Sequence, residues 1–477
     1  MRIKSLPNFA ITAIRSIFAA VKFWQKYRSE YIANLRLALP VAFAQLGYIV
    51  VQFADNVMVG HYGGDDPLPL ASVGFAVMIS YLFFCFASGI TLGITPLIGE
   101  CFTQNRFKKI AHYLQSGVLL NTLLGIAFMV LQLSFTPLLY KMGQPKEVVD
   151  MAVPYFHLMA YSMPFVMLFG CLRQFLEGLG NTKLAMAASI VANVVNVMLN
   201  YIFIFGNWGS EAMGVTGAGL ATLIARISAF IALLLFMFIQ REYRFYILLF
   251  ERKIDYLKNC KRLLGIGTPM AIQMLLEESA FVGTGIMMGW FGEEAISANQ
   301  IAVTYGINVF LITISIGSAV TIRTSHFYGE RNIDGMRRTV ASALHMAIAW
   351  GVIVTLSFIL LRHILPLPFT TNQEVLGIAS QLLIFYAVYQ IVDVTQCTMI
   401  GVLRGLQQVR IIAIISFLAY IVLNIPIGYL FAFTFGMGPS GLILGFFFGL
   451  GTAAVLYSIR VRRYLSNPKN LQANHTS

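Results

Sequence analysis

The chain has 477 residues, of which 58% are apolar and only 11% charged, against roughly 25% charged in a soluble globular domain. No soluble fold of this length hides that much apolar surface, so the bulk solvent must be lipid. The net charge of +13 would suggest a nucleic-acid partner in a soluble protein; here it follows from basic loops on one side of a membrane.

Residues 8–30, NFAITAIRSIFAAVKFWQKYRSE, hold an apolar run broken by Arg15 and Lys22, with no small-x-small cleavage site. They read as an amphipathic helix on the inner leaflet and not as a signal peptide. An N-terminal arm is therefore expected over 1–36. Apolar stretches of helical length follow at 37–63, 70–100, 114–140, 150–176, 184–206 and 214–240. After a polar linker over 241–262, six more are expected at 263–290, 297–325, 339–365, 376–402, 408–434 and 439–459, then a tail over 460–477. A helix needs about 20 residues to cross roughly 30 Å of hydrocarbon. Membrane strands would alternate every second residue, which runs such as SALHMAIAWGVIVTLSFILL do not. The expected fold is an all-α membrane protein with twelve transmembrane helices in two six-helix pseudo-symmetric bundles, over 37–240 and 263–459.

If both termini are cytoplasmic, 29 of the 33 Lys and Arg residues fall in or beside inner segments. The outer loops keep only Lys141, Lys146 and Arg362, with Arg226 inside a helix, and carry acids such as Glu293 and Glu294. This asymmetry predicts a multi-pass protein of the cell's inner (plasma) membrane with both ends inside.

The halves repeat. Shifted by 229 residues, Pro40, Met58, Gly60 and Gly63 fall on Pro269, Met287, Gly289 and Gly292. Further along, Gly99-Glu100 nearly meets Gly329-Glu330, Gly178 matches Gly405, and Asn196 matches Asn424. Six helices per unit give both halves the same orientation, the parallel-repeat plan of secondary transporters.

An ionisable residue inside a membrane helix is costly and is by default a functional candidate. Those within the predicted helices are Asp55, Glu277, Glu278, Asp393 and Arg226. Three acid-bearing helices suit a cation site, for a carboxylate binds a proton or a sodium ion. Asn196 and Asn200, four apart, share one helix face and can supply neutral oxygens beside Asp55; alternatively they tie helices together. Tyr389 lies one turn before Asp393 and can hydrogen-bond the carboxylate or flank a cation. Glu277 and Glu278 point about 100° apart, so both can hardly serve one site. Arg226 can pair with Asp55, snorkel or bond to carbonyls. Glu100 and Glu330, at inner helix ends near basic loops, read as structural.

The scattered cysteines, Cys85, Cys101, Cys171, Cys260 and Cys397, form no metal motif and read as packing residues. There is no intramembrane Ser/His pair, HExxH, DxxD-type metal cluster or Walker A motif, so neither an enzyme nor direct ATP use is expected, and no cofactor.

Several segments resemble the multidrug and toxic compound extrusion family, over about 35–460. Asp55 to Gly60 is similar to its first-helix signature, and LLEESAF, with Glu277, to the helix-7 acidic motif of the NorM-type branch. YQIVDVTQCTMIGVLRG, with Tyr389, Asp393, Arg404 and Gly405, resembles that branch's helix-10 motif, and NVMLNYIF, with Asn196 and Asn200, its helix-5 pattern. The resemblance implies antiport: export of organic cations, including dyes and antimicrobials, driven by uptake of Na⁺ or H⁺. It also implies a cation site at Glu277 and Asp393 with Tyr389 nearby, and a second acidic site at Asp55. The chain departs from the family in having Glu278 beside Glu277; Glu277 is the expected cavity-facing residue. The expected partners are organic cations and the lipid bilayer, with no nucleic acid and no ATP, and the expected state is a monomer. The rival reading within the superfamily is a lipid-linked oligosaccharide flippase, which an acidic interior disfavours; a polytopic membrane enzyme is the rival from another class.

Overall fold

The computed structural model describes residues 8–64, 66, 68–249 and 254–467. Apolar runs longer than a bilayer is thick must satisfy every backbone group within the segment, and the described residues accordingly form twelve long helices. We number them α1 (Asn8–Gly63), α2 (Leu68–Thr103, with a break at Leu92 and Gly93), α3 (Phe107–Ser134), α4 (Lys146–Gly178), α5 (Lys183–Phe205) and α6 (Gly214–Ile239). The second set is α7 (Tyr256–Gly289), α8 (Glu293–Gly329), α9 (Ile333–Leu361), α10 (Gln373–Gly405), α11 (Val409–Thr434) and α12 (Pro439–Ser466). Eleven of them are long and apolar enough to cross a membrane. The exception is α7, where Gln273, Glu277 and Glu278 dilute the apolar run.

Several bounds differ from the sequence reading. α1 continues without interruption from the arm into the first span, so no break marks residue 36. The side chains of 8–24, on which the amphipathic reading rests, lie outside the described residues, as do Asp65, residues 250–253 and the tail from 468. The third span stops at Ser134, where a single turn over Thr136–Leu139 follows. α11 widens to π-helical winding over Phe417–Asn424 and Leu430–Thr434, a departure frequently found at functional sites.

The repeat is visible in the packing. In the first half α4 packs on α2, α3 and α6; in the second, α10 packs in the same way on α8, α9 and α12. Gly178 closes on Thr95 and Ile98 of α2, and its counterpart Gly405 closes on Thr321 and Thr324 of α8. Between the halves the contacts are reciprocal, α1 on α8 and α2 on α7.

The halves meet at one end of the molecule. One core of buried side chains joins Leu97, Tyr113 and Phe175 of the first half to Leu263, Leu403 and Tyr457 of the second. At the other end the cores are separate, one around Val59, Ile79 and Tyr155, the other around Met288, Leu382 and Phe446. The joined end is the one bearing the basic turns after α2, α4, α8 and α10. It is tied by polar contacts: Gln407 donates to Glu100 (2.6 Å), His326 to the Gly178 carbonyl (2.8 Å) and Thr103 to the His326 carbonyl (3.1 Å). Glu100 is thus buried and structural, whereas Glu330 is exposed. Glu30, in the N-terminal half of α1, pairs with Arg323 of α8 and with Arg338 of α9 (3.5 Å). Asn34 accepts from Arg323 (2.9 Å) and donates to Ser342 (2.9 Å). An interhelical hydrogen bond within a membrane averages about 0.6 kcal/mol, so closure here is the sum of many small terms.

Candidate functional site

Two polar clusters lie within the helical bundles, one in each half. In the first, Asp55 of α1 accepts a hydrogen bond from Asn200 Nδ2 of α5. The same amide nitrogen reaches Asn196 Oδ1 one turn away (3.2 Å), and Asn196 Nδ2 donates to Thr222 of α6 (3.4 Å). Both asparagines are buried, and Asn200 Oδ1 has no hydrogen-bond partner. A carboxylate, two amides and a hydroxyl form a set of hard oxygen donors. Arg226, one turn beyond Thr222, does not pair with Asp55. Its guanidinium donates to Ser162 of α4 (2.6 Å) and lies over the Phe84 ring (5.9 Å to the centroid).

In the second half, Glu277 is buried and bound by neutral donors on both oxygens. Gln273 Nε2, one turn earlier on α7, donates at 2.8 Å, and the Tyr420 hydroxyl of α11 at 3.0 Å. Tyr420 in turn accepts from Gln396 Nε2 of α10 (2.7 Å), and Arg404 donates to Gln273 Oε1 (2.8 Å). The chain Arg404–Gln273–Glu277–Tyr420–Gln396 thus runs through three helices. Asp393, buried one turn from Cys397, has that thiol as its hydrogen-bond partner (3.8 Å) and lies within electrostatic reach of Glu277. It makes no pair with Arg404. Tyr389 is buried against Tyr386 (5.2 Å between centroids) and Phe446 (6.1 Å). Around this cluster Gln390 Oε1, Gln396 Oε1, Arg404 Nε and both amide atoms of Asn424 are buried without a partner. Such groups cost free energy unless something satisfies them.

The structure therefore brings Asp55, Asn196 and Asn200 together, and Glu277 with Asp393 and Tyr389. It separates Glu278, which points away from Glu277's partners. Sequence reasoning missed Gln273, Gln396, Tyr420, Thr222 and Ser162. Gln273 had a signal, being four residues before Glu277 on the same face; the others are polar residues in apolar helices whose rotation the sequence leaves open. Among the described residues no group of three or more His, Cys, Asp or Glu side chains gathers as a metal centre would require, and the five cysteines are all free thiols.

Two parallel six-helix repeats, each with a carboxylate held inside its bundle, define a polytopic membrane transport protein. The MatE family model matches residues 40–202 and 269–430, one match in each half. The multidrug resistance protein NorM of Photobacterium profundum is 30% identical over 440 residues, covering 91% of this chain and 96% of that protein. The NorM of Vibrio parahaemolyticus is 30% identical over 453 residues, covering 94% and 99%. The chain belongs to the MatE family of multidrug and toxic compound extrusion transporters, in its NorM-type branch. Among solved structures, the eukaryotic MATE transporter AtDTX14 superposes with a TM-score of 0.84 at 20% identity, covering 93% of this chain and 98% of that one. An outward-facing multidrug resistance MATE transporter of the MOP superfamily gives 0.82 at 20% identity, covering 92% and 97%. At that identity the likeness concerns the fold.

Proposed function

We propose that the protein is a secondary active antiporter that exports organic cations, antimicrobials among them, in exchange for Na⁺ or H⁺. One observation carries the reading. Asp55, Glu277 and Asp393 sit inside membrane helices, and none has a basic side chain within ion-pair distance. Their partners are Asn200, Gln273, Tyr420 and Cys397, all neutral. A carboxylate wholly or partly buried in a helical bundle with no ion-pair partner is expensive in its ionised form, so each favours uptake of a cation or proton. Binding a monovalent cation and being neutralised by a proton are equivalent in charge, which is what coupling to either gradient requires. Asp55 with Asn196 and Asn200 forms the coupling cluster of the first half, and Glu277 and Asp393 with Tyr389 that of the second.

On this reading the lobes over 37–240 and 263–459 are the moving units, and the basic, joined end faces the cytoplasm of an inner-membrane protein. The conformation is then closed inside and parted outside, one of the two end states of alternating access. The relatives' names, multidrug resistance protein NorM, support export of structurally varied compounds. The test is efflux of a fluorescent organic cation from proteoliposomes with sodium and proton gradients imposed separately. Uphill export under one or both supports the reading, and export under neither refutes it.

A further inference from the structure

Glu277 turns into the second half of the molecule; its neighbour Glu278 does not. The crossing of α7 over α2 fixes where it goes. The two helices touch where Ala271 meets Gly89, so closely that a Cβ on Gly89 would lie 2.4 Å from the Ala271 Cα. Residues seven apart share a stripe of a helix after two turns, so Ala271 and Glu278 lie on the same face of α7. On α2, which runs antiparallel to α7, Cys85 and Tyr81 lie one and two turns from Gly89 on the face toward α7. About 10 Å from the crossing, Glu278 therefore stands opposite Cys85 and Tyr81, and its carboxylate is within electrostatic reach of both.

The seam opens there. Gly89, Cys85 and Ala271 are buried, whereas Tyr81 is 40% exposed, Met78 60%, Leu275 37% and Val282 45%. Glu278 is half-buried, and no described side chain hydrogen-bonds or pairs with it. An ionisable group in a membrane helix with no partner in the protein marks a ligand path.

We propose that Glu278, faced by the ring of Tyr81 across the seam, recognises the positive charge of a delocalised organic cation between the halves, at a site separate from that of Glu277. The inference rests on the export reading and names the residue that meets the cargo. The ligand class follows from the surroundings. A metal ion needs a shell of several oxygens, and one carboxylate among apolar side chains does not provide it. A large cation with spread charge needs one countercharge, an aromatic surface and apolar walls, which is what Glu278, Tyr81, Met78 and Leu275 offer.

The test is equilibrium binding of ethidium to the purified full-length protein, followed by fluorescence with no ion gradient, beside a zwitterionic fluoroquinolone as competitor. Glu278→Gln is expected to weaken ethidium binding by about tenfold and Tyr81→Leu by a few-fold, each with a smaller effect on the zwitterion, while Glu278→Asp restores part of the loss. Unchanged ethidium affinity in Glu278→Gln, an equal loss for both ligands, or no ethidium binding by the wild type overturns the proposal. Export by the wild type in proteoliposomes is scored separately. If ethidium binds through Glu278 but is not exported under either gradient, the transport reading fails and the recognition site stands.

Discussion

The hydroxyl of Tyr420 donates to Glu277 at 3.0 Å, and the two residues stand 143 positions apart in the chain. The same oxygen accepts from Gln396 at 2.7 Å, so one phenol joins α7, α10 and α11 around a buried carboxylate. Tyr420→Phe keeps the ring in place and removes both hydrogen bonds. A buried group left without its partner costs about 1–3 kcal/mol. The variant is expected to melt at a lower temperature than wild type and to export a cationic dye several-fold more slowly. Unaltered melting and efflux would show that the network holds neither the fold nor the site.

Glu277→Gln and Asp393→Asn preserve shape but cannot alternate between charged and neutralised states. Each is expected to yield an inserted, folded protein with uphill export reduced to near background and cargo binding retained, since apolar and aromatic walls supply much of the affinity in such a cavity. Efflux from cells at matched expression is the measurement. Full efflux by the double variant would mean that these acids are not the coupling site.

In the first half, Asp55→Asn should likewise abolish most coupled export, because Asn200 loses its charged acceptor and Arg226 is already engaged by Ser162. Asn196→Ala removes a neutral oxygen and not a charge, so a graded loss is expected, smaller than that of Asp55→Asn. Equal effects of the two substitutions in an efflux assay would contradict the assignment of Asp55 as the charged ligand.

Gly329 has no space for a side chain: a Cβ there would lie 2.1 Å from Thr103 Oγ1 and 2.6 Å from the Glu100 carbonyl. Gly99 meets Ser325 in the reciprocal way. Gly329→Val must therefore push the halves apart at their basic end, at a cost typical of overpacking, about 1–3 kcal/mol. Spin labels placed on α2 and α8 near that end should report a longer distance than in wild type. An unchanged distance would mean that the contact is too soft to set the conformation.

The placement of the basic end is open to chemical labelling. A cysteine at Asn332, the capping residue before α9, should react with an impermeant thiol reagent from the cytoplasmic side, and one at Glu294, at the start of α8, from the outside. Reaction of both from one side would refute the orientation and the crossing of the membrane by α8.

The sequence by itself determined how many helices there are, their order, and that they form two like halves. In lipid each span must satisfy its own backbone, so apolar length reads directly as helix, and Pro40 and Pro269, or Gly178 and Gly405, keep their register wherever the spans pack. It also marked the acids, since a charge among apolar residues stands out before any neighbour is known. Which way those acids face was decided by the tertiary structure. A helix that is apolar on all sides carries little record of its rotation about its own axis, and Glu277 and Glu278 sit on one helix about 100° apart. The close approach of Ala271 to Gly89 sets that angle, turning Glu277 toward Tyr420 and Glu278 toward Tyr81. Arg226 shows the same rule: local sequence left Asp55 open as its partner, and the packing of α6 on α4 gave it Ser162 instead. Which end of the seam is shut was likewise beyond the sequence, because both end states of a two-lobed molecule use the same helices, and the choice rests on small contacts such as Gly329 on Thr103 and Glu30 on Arg323.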